Sequence, residues 1–265
     1  MTAHPDVLPA PSAADAIPRH EAAAEHGREG RLKVYIWQIP VRATHWVTAG
    51  AIVTLSVTGL YIADPFLIPA GGAVMTTIRL VHMLSAFVLL LSGLLRTFWL
   101  LRGNRWAHWK AFIPLTWFQF TELFRQAGFY AFIRKEIPKV LGHNQLAASA
   151  YLVLFALLLV EVVTGFALDG LIGSEPGASL FGWLIDLLGP QTVRLLHHFA
   201  MWAILAIALF HIYSCVLVDH IEKNGLMSSI FSGFKFPTRT EILESRDGGP
   251  EILEQALEAE REDEH

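Results

Sequence analysis

Apolar residues gather along this chain into four long stretches, at 43–63, 79–101, 146–169 and 195–218, separated by polar or mixed segments. Each stretch is close to the ~20 residues that a helix needs to cross a hydrocarbon layer about 30 Å thick. None has the short in-and-out alternation that strands of a membrane barrel require. The pattern predicts an all-α membrane protein, a four-transmembrane-helix bundle.

Composition agrees with this and narrows the chemistry. With 53% hydrophobic and 17% charged residues, the chain is too apolar for an ordinary globular domain of 265 residues. The single cysteine, Cys215, lies inside the fourth stretch, so neither a disulfide framework nor a thiolate cluster for zinc or iron-sulfur is available. Covalent haem attachment through Cys-x-x-Cys-His is excluded for the same reason. Three regions follow: a flexible N-terminal tail at 1–32 with no signal-peptide core, the four-helix domain at 33–236, and an acidic tail at 237–265. That last tail is expected to be mostly disordered, with a partner-binding helix as the alternative.

Charge orients the bundle. Arg102, Arg105, Lys110, Arg125, Arg134, Lys135 and Lys139 all fall between the second and third stretches, whereas 64–78 and 170–193 contain no lysine or arginine. The positive-inside rule then places this long loop and both termini in the cytoplasm of a bacterial inner membrane protein. The loop mixes aromatics with cations, as an amphipathic helix lying on a membrane surface does.

Against this topology the histidines fall into order. His197 and His211 are 14 residues apart, which brings both to one helix face about 21 Å apart along the axis. His45, at the start of the first helix, shares the inner depth with His211. His82, in the first turns of the second, shares the outer depth with His197. Four imidazoles at two depths suit two haem b groups, each held by a pair of histidines, with no open iron position and hence electron transfer rather than oxygen chemistry. The neighbouring His198 points ~140° away and is expected to contact a haem propionate instead.

Other residues fit the same frame. Arg42, Arg79 and Arg194 each stand three residues before a ligand candidate, on the same face. Arg79 and Arg194 lie on the outer side, against the charge bias, and are expected to pair with propionates. For Arg42 the positive-inside charge is a sufficient explanation, and Arg96 reaches the inner depth either to pair a propionate or to snorkel. Gly59 and Gly93 would let a macrocycle approach the backbone, or simply let helices pack closely. Glu161 is the one acid well inside a stretch, where it serves a structural hydrogen bond or a proton relay. His143 and Asn144 in the long loop are candidate quinone contacts, with a structural role as the competing reading for His143.

The segments VYIWQIPVRATHW (34–46), IRLVHM (78–83), VLGHNQLA (140–147), VTGFALDG (163–170), HHFAMW (197–202), ALFHIY (208–213) and FSGFK (231–235) resemble the b-type cytochrome subunit of membrane-bound uptake nickel-iron hydrogenases, within the bacterial dihaem cytochrome b561-like group. The family usually has proline where Gln145 stands and glycine where Ala200 stands. Neither departure removes a ligand. The resemblance implies that an outer haem takes electrons from the iron-sulfur small subunit of a periplasmic hydrogenase, which also has a large subunit, and that an inner haem passes them to a quinone of the respiratory chain. Such a chain is an electron-transfer subunit rather than an enzyme on its own. Alternatives are a cytochrome b for a formate dehydrogenase or thiosulfate reductase type partner, or a free-standing quinol-oxidising cytochrome b. A different class is a haem-free membrane anchor, or a transporter whose histidines move protons or metal.

Overall fold

A computed structural model describes residues 30–65, 72–113, 116–135, 139–170 and 176–263, the side chains of 176–179 and 263 excepted. Among these described residues, four helices are long and apolar enough to cross a membrane: α1 (Ile39–Ala63), α2 (Gly72–Arg102), α4 (Gln145–Asp169) and α6 (Pro190–Glu222). Between them lie α3 (Trp117–Tyr130) and α5 (Pro176–Leu188), and α7 (Leu226–Ser232), α8 (Arg239–Glu244) and α9 (Pro250–Asp263) follow α6. Each spanning helix contains its expected apolar stretch and extends beyond it, by four residues at the start of α1 and seven at the start of α2. At most 22% of any spanning window is buried within the chain, so most of its apolar side chains face outward, as they do toward lipid. The chain is a multi-pass membrane protein.

Local sequence explains how the spans begin and end. Proline stands in the first turn of α1 and of α6, where its missing N–H costs nothing. Gln38, just before α1, accepts hydrogen bonds from Trp99 Nε1 at 3.0 Å and from the Asn104 amide at 2.9 Å, fastening the start of α1 to the end of α2. Farther along, the Thr48 and Ser92 hydroxyls meet at 2.8 Å and Ser92 Oγ donates to the Thr44 carbonyl. Helix α1 therefore packs extensively on α2, and α4 packs on α6. Rings from the two pairs face each other, including Phe87 and Phe166 with centres 5.4 Å apart.

Helix α3 is amphipathic in the membrane sense. Its polar Glu122 and Gln126 are buried against the protein, while Trp117, Phe118 and Phe124 are exposed. Gln126 Oε1 accepts from the Leu146 amide at 2.7 Å and satisfies one of the unpaired N–H groups at the start of α4. The long loop thus contains the amphipathic helix expected of it.

Both proposed tails need correcting. Residues 1–29 of the N-terminal tail lie outside the described residues, but Leu32 is buried and Arg31 bridges to Thr238. Strand β1 (Val34–Tyr35) then pairs antiparallel with β2 (Phe234–Lys235), with Val34 opposite Lys235. The acidic C-terminal segment is folded: Ile242, Ile252 and Ala256 join Leu32, Ile36, Trp37, Trp106 and Leu141 in one apolar cluster. Its acidity suggested disorder, yet isoleucine, leucine and alanine recur on the buried sides of α8 and α9 with the charges outside.

The cluster closes around glycines whose positions cannot take a side chain. Gly233 has φ +92° and would drive a Cβ to 2.7 Å from Tyr35 and 2.9 Å from the Trp37 carbonyl. Gly142 leaves room for Trp106, whose Cδ1 would lie 2.4 Å from an added Cβ. Asp247, from the C-terminal segment, accepts from the Leu141 and Gly142 amides, both at 2.7 Å, and from Trp106 Nε1 at 3.1 Å. The C-terminal segment thus holds the loop that leads into α4.

Candidate functional site

The four histidines meet in two facing pairs. His45 of α1 and His211 of α6 have ring centres 6.2 Å apart, and His82 of α2 and His197 of α6 have theirs 6.5 Å apart. Two imidazoles joined by a direct N–H···N bond would have centres about 5 Å apart, so neither pair is bonded to itself. A histidine nitrogen sits about 2 Å from a bound metal and about 1.1 Å from its own ring centre, so two rings on opposite sides of one metal would have centres about 6.3 Å apart. Both pairs stand at that spacing. Among the described residues no cluster of three or more metal-ligating side chains exists, so each site offers two protein ligands. That donor set suits a metal whose remaining positions are filled by a macrocycle.

The His82–His197 pair is held by a repeated element. Val57-Thr58-Gly59 in α1 and Val163-Thr164-Gly165 in α4 carry the same three residues, each beside one ligand candidate. Thr58 Oγ1 donates to the Thr54 carbonyl at 2.7 Å and lies 2.8 Å from His82 Nδ1. Thr164 Oγ1 donates to the Val160 carbonyl at 2.6 Å and lies 2.9 Å from His197 Nδ1. A hydroxyl has one proton, and here the helix takes it. Each histidine must therefore donate from Nδ1, which leaves Nε2 with the free lone pair that binds metal. The adjoining glycines complete the element: a Cβ at Gly59 or Gly165 would come within 3.3 Å of Cε1 of His82 or His197.

The His45–His211 pair has weaker support. His45 Nδ1 is buried with no hydrogen-bond partner, and His211 Nδ1 has only Cys215 Sγ at 3.6 Å. Trp46 packs edge-on against His45 and lies over Phe231 of α7.

The other expected contacts divide. Gly59 lies against His82 as anticipated, while a Cβ at Gly93 would meet nothing within 4 Å, so close helix packing does not explain that glycine. Arg79, about two turns into α2, and Arg194, in the second turn of α6, are both exposed, and Arg194 reaches Gln191 at 3.4 Å. His198 is exposed and stays out of the ligand pair, with its ring 6.4 Å from that of His197. Arg42 has another use: its guanidinium donates to the Phe231 carbonyl at the end of α7. Arg96 turns to the loop, over the rings of Phe112 and Tyr151 at 5.5 and 5.2 Å, and donates to the Ala107 carbonyl.

The two candidate quinone contacts have structural duties. Asn144 is the N-cap of α4, its side chain accepting from the Ala147 amide at 2.7 Å. His143 is packed between Trp37 and Phe112, with ring centres 4.7 and 4.9 Å away, and its Nδ1 is buried without a partner. Burial, reinforced by the nearby Arg96, pushes its imidazole down to about 3, so it stays neutral at ordinary pH.

Sequence reasoning missed Thr58, Thr164 and Gly165, although the repeated Val-Thr-Gly was visible. It singled out Glu161 without a partner. That partner is His197, whose Nδ1 lies 2.8 Å from Glu161 Oε2.

Residues 36–233 match the family model for prokaryotic cytochrome b561. The chain belongs to that family. As a b-type cytochrome it is a haem b protein of the electron-transport class, and the two histidine pairs are the candidate ligands that its sequence and fold offer. Among similar proteins is one from Rhizobium leguminosarum bv. viciae, 34% identical over 80% of this chain and 93% of its own length, named "Probable Ni/Fe-hydrogenase B-type cytochrome subunit". A protein of the same name from Cupriavidus necator is 33% identical over 84% of this chain and 94% of its own. The corresponding hydrogenase 1 subunit of Escherichia coli K12 is 26% identical, over 76% and 90%.

Proposed function

We propose that this cytochrome b561 is the dihaem membrane subunit of a Ni/Fe hydrogenase, taking electrons from the iron-sulfur small subunit on the outer side and delivering them to a quinone on the inner side. The supporting observation is the pair of ring separations, 6.2 and 6.5 Å, each suited to one bis-histidine iron. The names of the relatives point to the hydrogenase partner.

Haem b held at each pair would supply one-electron exchange. His82 and His197 hold the outer group, His45 and His211 the inner one. The 14-residue interval along α6 sets them about 21 Å apart along the helix. Thr58 and Thr164 hold protons on the Nδ1 atoms of the outer ligands, keeping Nε2 available. Gly59 and Gly165 keep side chains off those ligand rings. Arg79 and Arg194, exposed near the outer end, are placed to pair with anionic propionates. The basic loop between α2 and α4 marks the cytoplasmic side, and both termini lie there with it.

The test is a haem assay on the purified full-length chain, with its co-purified partner retained. Two haem b per chain and hydrogen-driven reduction of a quinone analogue are expected. One haem per chain, or a difference spectrum without a b-type α-band, would refute the dihaem reading. Two haems with no associated nickel-iron protein would refute the hydrogenase assignment alone.

A further inference from the structure

We propose that Glu161 sets the potential of the outer haem below that of the inner one, by accepting a hydrogen bond from the ligand His197. The inference rests on the ligand assignment above. Glu161 stands on α4 one turn before Thr164, and its Oε2 lies 2.8 Å from His197 Nδ1. Its other oxygen is buried with no hydrogen-bond partner, so among the described residues the side chain's polar contact is with His197. Because Thr164 has already committed its proton to the Val160 carbonyl, Nδ1–H is the only hydrogen available to the carboxylate and the hydroxyl, which share it.

Comparison within the chain shows that this acid is not needed merely to hold a ligand. In the matching element of α1, the residue three before Thr58 is Leu55, which offers His82 only a backbone carbonyl. The inner ligands have less still, a buried Nδ1 without a partner on His45 and a thiol at 3.6 Å on His211. Hydrogen-bond support therefore falls from the outer pair to the inner pair, and among the described residues a carboxylate stands at the outer one alone.

A histidine that donates its distal N–H to a carboxylate becomes a more basic ligand. A more basic ligand with an adjacent acid favours the oxidised iron, and hydrogen bonding of this kind is one of the means by which a protein sets a haem potential. Graded in this way, an electron leaving the outer iron for the inner one moves downhill, toward the side where the quinone is reduced. Glu161 is a positioning residue, acting on the iron through His197.

Redox titrations of the full-length protein followed optically, in wild type, Glu161→Gln and Glu161→Leu, test this, with His197→Ala identifying the outer haem's component. Both Glu161 variants are expected to keep two haems per chain. In both, the outer haem's reduction equilibrium should shift toward the reduced form by at least tenfold, about 59 mV for one electron. The inner midpoint should stay in place, and the outer haem's low-spin ferric resonance should move with its potential. An unchanged outer midpoint in fully loaded Glu161→Gln would overturn the proposal while leaving the ligand assignment intact. Loss of the outer haem from Glu161→Gln would also overturn it, because the acid would then be a requirement for loading. Retention of both haems in His197→Ala would overturn the ligand assignment itself.

Discussion

Thr58 and Thr164 show how much one hydroxyl decides. Each spends its proton on its own helix and so dictates the tautomer of a histidine on a neighbouring helix. Replacing either with valine keeps the shape but removes the acceptor, and should weaken haem retention at the outer site while sparing the inner one. Haem content after washing in detergent, measured site by site, checks this. Gly165→Leu should have a larger effect, because a side chain there collides with His197, and a chain that still loads two haems would contradict the close-approach argument. The facing histidine pairs were legible in sequence because helix periodicity fixes which residues share a face and a depth. The threonines were not singled out because a threonine inside an apolar helix ordinarily bonds its own turn, and only the partner helix shows the second use. The contact of Arg42 with the Phe231 carbonyl of α7 was not foreseen for a related reason: it joins segments far apart in sequence.

Among the elements, the loop between α2 and α4 is where burial and chemistry compete. His143 is neutral in the fold because it is packed between Trp37 and Phe112, whereas in an unfolded chain it would protonate around 6.5. Its folded value is depressed, so the fold favours the neutral form. The associated stability is present above pH 6.5 and drains away as pH falls from there toward about 3, by at most about 1.4 kcal/mol per unit. Amide exchange across 139–145 should therefore accelerate on acidification, and His143→Phe, which retains the ring, should flatten that response. Asp247→Ala removes the acceptor for two loop amides and should cost about 1–3 kcal/mol locally. Exchange at Leu141 and Gly142 should then quicken roughly tenfold to a hundredfold, since 1.4 kcal/mol is about a factor of ten. For α3, lipids carrying a quencher near the headgroup should dim Trp117, whereas quenchers at the bilayer centre should not. This helix was legible in advance from its aromatic and cationic mixture. The folded C-terminal segment was not, because its charge density concealed the buried stripe of Ile242, Ile252 and Ala256.

In the whole molecule, α6 is the common member of both sites, supplying His197 to α2 and His211 to α1, and its helical rise fixes the distance between them. The bundle type, the four spans and the pairing of histidines by depth all followed from hydropathy, charge bias and periodicity, which act over one helix at a time. The apolar cluster joining Leu32, Trp106, Leu141 and Ile252 depends on contacts between distant segments, which no local pattern encodes. Haem content and spectra of the four single variants His45→Ala, His82→Ala, His197→Ala and His211→Ala decide whether the chain holds two bis-histidine haems in register. His82→Ala and His197→Ala should lose one and the same haem, and His45→Ala and His211→Ala the other, each leaving a single intact low-spin centre. If His82→Ala and His197→Ala instead lose different haems, or if either leaves both in place, the two-site geometry is wrong.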